Sequence, residues 1–143
     1  MLTGDYRLGL RKRYVIGLNE LQAGFPFPLW ALEVVRLALP ANARLLCLNG
    51  QLYSPEKALE LGFVNELIES EQTLKVAIQR AKSIPKESIE AFALTKREFF
   101  LQVNERLEKH MDSNLDKIVD LLYSEKGWKQ LQSFVSILKN KKQ

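Results

Sequence analysis

The sequence predicts an α/β fold followed by a helical region, because the pattern of apolar residues changes partway along the chain. Residues 1–68 mix short strand-like runs with short helices, whereas residues 69–143 show apolar side chains at helical spacing. The length of 143 residues fits one domain of ordinary size, and 46% hydrophobic with 27% charged residues is the balance of a globular protein. We therefore expect an α/β core at residues 1–68 and a helical region at residues 69–143.

The first elements predicted are two strands and a helix. Residues 6–10 alternate in character and residues 14–16 form a short apolar run, and both patterns favour strands. Pro28 suits the first position of a helix, so a helix is expected to start there and to end before Pro40. Its residues 29–39 are apolar nearly all round, which predicts a buried helix.

Two further helices carry clear end signals. A helix at residues 41–48 is expected to stop at Gly50, since glycine tolerates the left-handed conformation that such a stop requires. A helix at residues 54–62 is expected to be capped by Ser54, whose hydroxyl can accept a hydrogen bond from the first turn. Residues 63–67 then return as a short strand or extended segment.

The helical region is predicted to hold several amphipathic helices in succession. They are expected within residues 70–84, at residues 86–111, around residues 115–122 and around residues 128–138. Each presents one apolar stripe, which is typical of a helix that packs against a partner. A helical subdomain or a subunit interface is therefore expected here.

Composition and motifs argue against several function classes. The net charge of +4 is modest, and no zinc-ligand spacing, ribonucleoprotein motif or basic helix with interleaved aromatics indicates nucleic-acid binding. No apolar run reaches the roughly 18 residues of a membrane span, and no basic and apolar block resembles a secretory signal. The single cysteine, Cys47, cannot form an internal disulfide and is expected to be a packed small hydrophobe. A cytoplasmic location is therefore expected.

Few residues remain that could carry chemistry. His110 is the only histidine, so neither a multi-histidine metal site nor a Ser-His-Asp relay can be assembled, and no glycine-rich phosphate loop is present. Glu20 lies among Leu18, Leu21 and Phe25. Partial desolvation in such surroundings raises the pKa of a glutamate and makes it a stronger proton acceptor. Glu20 is therefore the candidate base, with a solvated loop glutamate as the alternative.

Two segments carry a family resemblance. Residues 16–20 read Ile-Gly-Leu-Asn-Glu, and residues 50–66 join a turn, a capped helix and the run Gly-Phe-Val. Together they resemble the enoyl-CoA hydratase/isomerase (crotonase) family, strongly over residues 3–66 and more loosely beyond. The resemblance implies the C-terminal part of a crotonase-like ββα spiral, followed by a helical oligomerisation region that builds homotrimers or hexamers. It also implies no metal or redox cofactor, with coenzyme A present only as part of the substrate.

The resemblance implies acyl-CoA chemistry in fatty-acid metabolism. In the family, two backbone N–H groups hold the thioester oxygen of an acyl-CoA while carboxylates move protons at neighbouring carbons. The Asn19-Glu20 motif and the proline-containing run at residues 25–28 are closer to Δ3,Δ2-enoyl-CoA isomerases. The position of the second glutamate of hydratases falls on Leu45, so by this resemblance the second acid is missing unless Glu33 replaces it. The expected reaction is thus a double-bond shift with Glu20 as the catalytic base, and hydration is the alternative.

Several residues are expected to contact the substrate. Phe25, Phe27 and Trp30 follow Glu20 and are candidates for the acyl pocket, although a core position is the alternative for Trp30. Lys139 and Lys141 are candidates for contacts with coenzyme A phosphates of a neighbouring subunit, and a solubilising tail is the alternative.

One departure from the family leaves the enzyme assignment open. Family members carry about half of their length, including both oxyanion donors, before the segment matched here. We therefore expect activity only if an N-terminal half completes the chain. The alternative is a noncatalytic helical module for oligomerisation or partner binding. Strands near Tyr6 and Tyr14 are expected to have exposed edges that favour association.

Overall fold

A computed structural model describes the backbone of residues 1–140 and the side chains of residues 1–137. The strands are β1 (Leu8–Leu10), β2 (Ile16–Gly17), β3 (Leu52–Tyr53) and β4 (Glu66–Ile68). The helices are α1 (Leu29–Ala38), α2 (Ala43–Asn49), α3 (Pro55–Glu60), α4 (Thr73–Lys82), α5 (Ile89–Tyr123) and α6 (Glu125–Asn140). Short 3₁₀ helices lie at Glu20–Ala23, Ser70–Gln72 and Lys86–Ser88. None of the described helices is long and apolar enough to cross a membrane.

The strands form two small sheets. β1 pairs in parallel with β4, and β2 pairs antiparallel with β3. β1 begins later than predicted, because the backbone N–H of Arg7 donates to the side-chain oxygen of Asn65 at 2.8 Å instead of joining the ladder. Within the described residues each sheet has two strands, so every strand keeps one unpaired edge, as expected near Tyr6 and Tyr14.

The predicted end signals of α2 and α3 are confirmed. Ser54 Oγ accepts a hydrogen bond from the backbone N–H of Lys57 at 3.3 Å, which satisfies one of the unpaired donors at the helix start. Gly50 ends α2 with a φ of 59°. That conformation is strained for residues with a Cβ, so glycine ends the helix here without backbone strain.

The expectation that α1 is buried all round is wrong. Trp30 is 51% exposed, whereas Glu33 is only 5% exposed. α1 packs against α2 on one side and α5 on another, which leaves part of its surface open. Pro28 precedes the helix rather than occupying its first position, and Asn114 of α5 accepts the backbone N–H of Leu29 at 2.8 Å.

α5 is one helix of 35 residues where two were predicted. The run Asp112-Ser113-Asn114 weakens helix propensity, because these side chains compete for nearby backbone groups. Asn114 instead bonds to α1, and this tertiary contact supports a continuous helix through the weak run.

The hydrophobic core lies between α1, α2, α3 and the turn after β2. Its largest fully buried side chains include Phe63 and Leu46, each 1% exposed. Cys47 is a buried, unpaired thiol in this cluster, as predicted. The buried cluster comprises Leu18, Phe27, Val35, Leu39, Ala43, Leu46, Cys47, Ala58 and Phe63. The turn that carries Glu20 is therefore anchored to the best-packed part of the molecule.

Candidate active site

Glu20 opens the 3₁₀ helix that follows β2. The turn closes at Gly24, which has a φ of 78° and donates its N–H to the carbonyl of Leu21 at 3.1 Å. The end of α2 lies close to it, since a Cβ added to Gly50 would be 3.2 Å from Cγ of Gln22. Backbone geometry and close packing thus fix the position of Glu20.

The carboxylate of Glu20 is the most unusual polar group in the described part of the chain. Its Oε2 is buried. Among the described residues, it is the one buried side-chain oxygen or nitrogen that has no hydrogen-bond partner. Buried polar atoms are ordinarily paired, so an unpaired one needs an explanation. A carboxylate oxygen without a donor has lone pairs available to accept a proton or a hydrogen bond from a ligand.

Cys47 of α2 lies close enough to Glu20 to be affected by its charge. Burial raises the pKa of the Cys47 thiol above its ordinary value, and the negative charge of Glu20 raises it further. Both causes keep the thiol neutral at neutral pH. Because the thiolate is the reactive form, Cys47 is a packing residue of the site rather than a nucleophile.

Glu33 is a second buried carboxylate, and it is engaged in ion pairs. Its Oε1 lies 3.4 Å from Nη1 of Arg36 and 3.3 Å from Nε of Arg106. Both guanidinium groups hold this one oxygen in ion pairs within the protein. The role of Glu33 as a replacement for the second acid stays a prediction.

Leu45 lies on the exposed face of α2. It is 57% exposed, whereas the adjacent Leu46 and Cys47 are 1% and 6% exposed and face the core. The use of Leu45 to distinguish isomerisation from hydration stays a prediction.

The predicted substrate residues lie in different environments. Phe25 is half-buried and donates its backbone N–H to the carbonyl of Glu20 at 2.9 Å, Phe27 belongs to the core, and Trp30 is half exposed. Two cavities in the described part of the chain, one between α1 and α5 and one between α1, α2 and α5, have none of these side chains in their walls. The side chain of Lys139 and all of Lys141 lie outside the described residues. Their roles remain predictions.

Helices α5 and α6 make contacts around this site that the sequence did not predict. Arg106 of α5 reaches Glu33, and Gln130 of α6 packs so closely on Gly24 that a Cβ there would overlap its amide group. In the sequence, Arg106 and Gln130 are ordinary polar positions of amphipathic helices. Their neighbours are far away in sequence, so no local signal could have found them.

Comparison with known proteins shows which family this chain is similar to. The model of the enoyl-CoA hydratase/isomerase family matches residues 1–142. Human enoyl-CoA delta isomerase 1, mitochondrial, is 32% identical over 146 residues, covering 99% of this chain and 47% of the human protein. The rat protein of the same description is 31% identical over 147 residues, covering 99% of this chain and 50% of its own length. The chain spans about half the length of the curated relatives it matches.

Solved structures confirm the predicted fold class. The crystal structure of human mitochondrial delta3-delta2-enoyl-CoA isomerase matches with a TM-score of 0.86 and 30% identity, covering 99% of this chain and 56% of that chain. Enoyl-CoA hydratase from Bacillus halodurans matches with a TM-score of 0.73 and 26% identity, covering 93% and 53%. The chain thus has the α/β architecture with a helical region that these proteins share.

Proposed function

We propose that this chain, which belongs to the enoyl-CoA hydratase/isomerase family, acts in the isomerisation of 3-enoyl-CoA to 2-enoyl-CoA with Glu20 as the proton-transfer base. The observation that carries this proposal is that Oε2 of Glu20 is buried and has no hydrogen-bond partner among the described residues. The names of the human and rat relatives support an isomerase rather than a hydratase. Hydration remains the alternative within the same family.

The proposed reaction moves one proton and one double bond. Glu20 removes a proton from C2 of the 3-enoyl-CoA, so the C2–H bond breaks and a carboxylic O–H bond forms. The electron pair is shared between C2, C4 and the thioester oxygen. Return of the proton from Glu20 to C4 leaves a double bond between C2 and C3, with no net gain or loss of atoms. One carboxylate suffices when the same group takes and returns the proton.

This chemistry also needs hydrogen-bond donors at the thioester oxygen. Loss of one such donor typically lowers turnover by about 10²- to 10³-fold, because negative charge develops on that oxygen. Since the chain spans about half of its relatives, we assign these donors to a complementary segment. Assembly into homotrimers or hexamers through the helical region belongs to the same proposal.

A noncatalytic module for oligomerisation or partner binding is the second candidate. It is favoured by large apolar side chains on the helical region, such as Leu74 at 73%, Phe99 at 67% and Tyr123 at 82% exposure. Apolar groups in such numbers are typical of a surface that another chain covers. The cytoplasmic location remains a prediction, and the human and rat relatives are described as mitochondrial.

The proposal is tested by substituting the carboxylate without changing its shape. With the complementary segment present, Glu20→Gln is expected to lower isomerase turnover by about 10²-fold or more, since general-base catalysis is typically worth that much. Binding of 3-enoyl-CoA, measured by titration calorimetry, is expected to change little. Glu98→Gln, an exposed change of the same charge on α5, serves as the control.

Three outcomes distinguish the candidates. Isomerisation that depends on Glu20 supports the proposal, whereas hydration of 2-enoyl-CoA without isomerisation favours the hydratase alternative. A chain that binds no acyl-CoA and forms concentration-dependent oligomers in sedimentation favours the noncatalytic module.

A further measurement tests the site without substrate. Because the charge of Glu20 raises the pKa of the Cys47 thiol, Glu20→Gln is expected to lower that pKa toward its ordinary value. Cys47 is the only cysteine, so the pH dependence of its alkylation reports this change alone. Glu98→Gln is again the control, and equal curves for wild type and Glu20→Gln would contradict the placement of the two groups.

A further inference from the structure

A cavity of about 580 Å³ lies between α1, α2 and α5. Its volume is within the range of pockets that hold small molecules. Much of its wall is apolar and is formed by Leu32, Val35, Pro40, Ala43, Cys47 and Leu48. Glu20 does not line it, so an inference about this cavity does not rest on the proposed catalysis.

The charged part of the wall is predominantly positive. Arg36, Arg44 and Arg106 line the cavity together with one acid, Glu33. The side chains of Arg36 and Arg106 both pair with Oε1 of Glu33 and are 58% and 47% exposed, whereas the side chain of Glu33 is 7% exposed. Arg44 is exposed and forms no ion pair with the described carboxylates. The single buried carboxylate therefore leaves positive charge on the wall without an acidic partner.

We infer that this cavity binds a straight-chain fatty carboxylate. The alkyl chain lies along Leu32, Val35 and Leu48, and the carboxylate meets Arg44. The planar guanidinium presents parallel N–H donors that match a carboxylate. A small inorganic anion would not contact the apolar wall, and an uncharged alkane or alcohol would not pair with the arginine. A ligand with both an alkyl chain and a carboxylate contacts both parts of the wall.

Titration calorimetry of the whole chain with decanoate tests the inference. Decanoate is expected to bind, acetate to bind far more weakly because it lacks the chain, and decanol far more weakly because it lacks the charge. Raising the salt concentration is expected to weaken decanoate binding, since the arginines are partly exposed. Equal binding of decanol and decanoate, or no binding of decanoate, would overturn the inference.

Variants locate the binding within the cavity. Arg44→Gln is expected to weaken decanoate binding about tenfold, the usual effect of losing a hydrogen bond to a charged group. Arg97→Gln, the same change at an exposed position of α5 outside this cavity, is expected to have no effect. Leu48→Ser is expected to weaken decanoate severalfold and to leave acetate unchanged.

Arg44 and Leu48 are both exposed, so these variants are expected to fold, which circular dichroism checks. Should one of them fail to fold, the other still decides the matter. An equal loss of affinity in Arg44→Gln and Arg97→Gln, or full affinity in both cavity variants, would place any bound decanoate elsewhere and overturn the inference.

Discussion

The α/β region (residues 1–68) and the helical region (residues 69–137, as far as side chains are described) are stabilised in different ways. The buried hydrophobic side chains all lie in the α/β region. In the described part of the helical region, α4 and α5 contribute no buried residue. Both regions show apolar residues at regular spacing in the sequence. The comparison teaches that an apolar stripe becomes a core only when a second element covers it.

The described polar contacts between the two regions span the length of their interface. Arg80 bonds to Glu66 at 2.7 Å and Lys96 to Asp5 at 2.6 Å. Arg106 and Asn114 of α5 then reach Glu33 and the N–H of Leu29 on α1. The two exposed ion pairs, Arg80–Glu66 and Lys96–Asp5, contribute little free energy, so they orient the helices more than they stabilise them.

The largest contrast between the regions is expected from truncating one phenylalanine in each. Phe63→Ala is expected to lower the free energy of unfolding by about 3–5 kcal/mol, because it empties the centre of the core. Phe99→Ala removes a ring that is 67% exposed and is expected to change it by less than about 0.5 kcal/mol. Denaturant unfolding at several protein concentrations measures both. Equal losses of unfolding free energy in the two variants would show that association buries the apolar stripe of the helical region in solution.

A smaller effect is expected from breaking the contact between α5 and Glu33. Arg106→Gln removes one of two guanidinium partners of a buried carboxylate and is expected to cost about 1–2 kcal/mol. Lys129→Gln removes the exposed partner of Glu125 and serves as the control, with almost no loss. An equal effect of the two changes would mean that Glu33 gains nothing from Arg106.

The cap supplied by Asn114 is expected to be worth less than this ion pair. Asn114→Ala loses a cap worth about 1 kcal/mol but gains about 0.5 kcal/mol of helix propensity, so a net loss of about 0.5 kcal/mol is expected. Asn104→Ala gains propensity at an exposed position of the same helix and is expected to stabilise slightly. The opposite signs of these changes in denaturant unfolding are the measurement that identifies the cap.

The smallest effect is expected from the exposed pair of Glu66 and Arg80. Hydrogen bonds from Arg80 and from Tyr6 hold the pKa of Glu66 below its ordinary value. The pair therefore stabilises the fold above the ordinary glutamate pKa, and this contribution is lost as the pH falls through the lower pKa of the folded state. Thermal unfolding of Arg80→Gln across acidic pH is expected to show a smaller decline than wild type. An unchanged decline would show that the pair does not couple β4 to α4.

Local signals predicted the elements whose ends are set by their own residues. α3 formed as expected because Ser54 supplies its cap within one turn. Predictions that needed distant neighbours were less successful. The burial of α1 was overestimated at Trp30, and α5 was divided near Asn114, since the contacts that decide both come from other helices.

The candidate site was predicted in part for the same reason. Glu20 could be chosen from its apolar neighbours and from its motif, both of which are local in sequence. Its closeness to Cys47, the ion pairs of Glu33 with Arg36 and Arg106, and the outward position of Leu45 all depend on how helices pack. The sequence predicted the chemical role of Glu20, whereas it did not predict which side chains surround it.

The sequence by itself determined the α/β class, the helix ends marked by Ser54 and Gly50, and the family resemblance carried by residues 16–20, because each depends on residues within a few positions of one another. Tertiary structure alone decided which apolar stripes are buried and which charges meet. Burial and ion pairing depend on distances between segments far apart in the chain. The same packing left Oε2 of Glu20 buried with no partner in the described part of the chain and placed arginines around an apolar cavity.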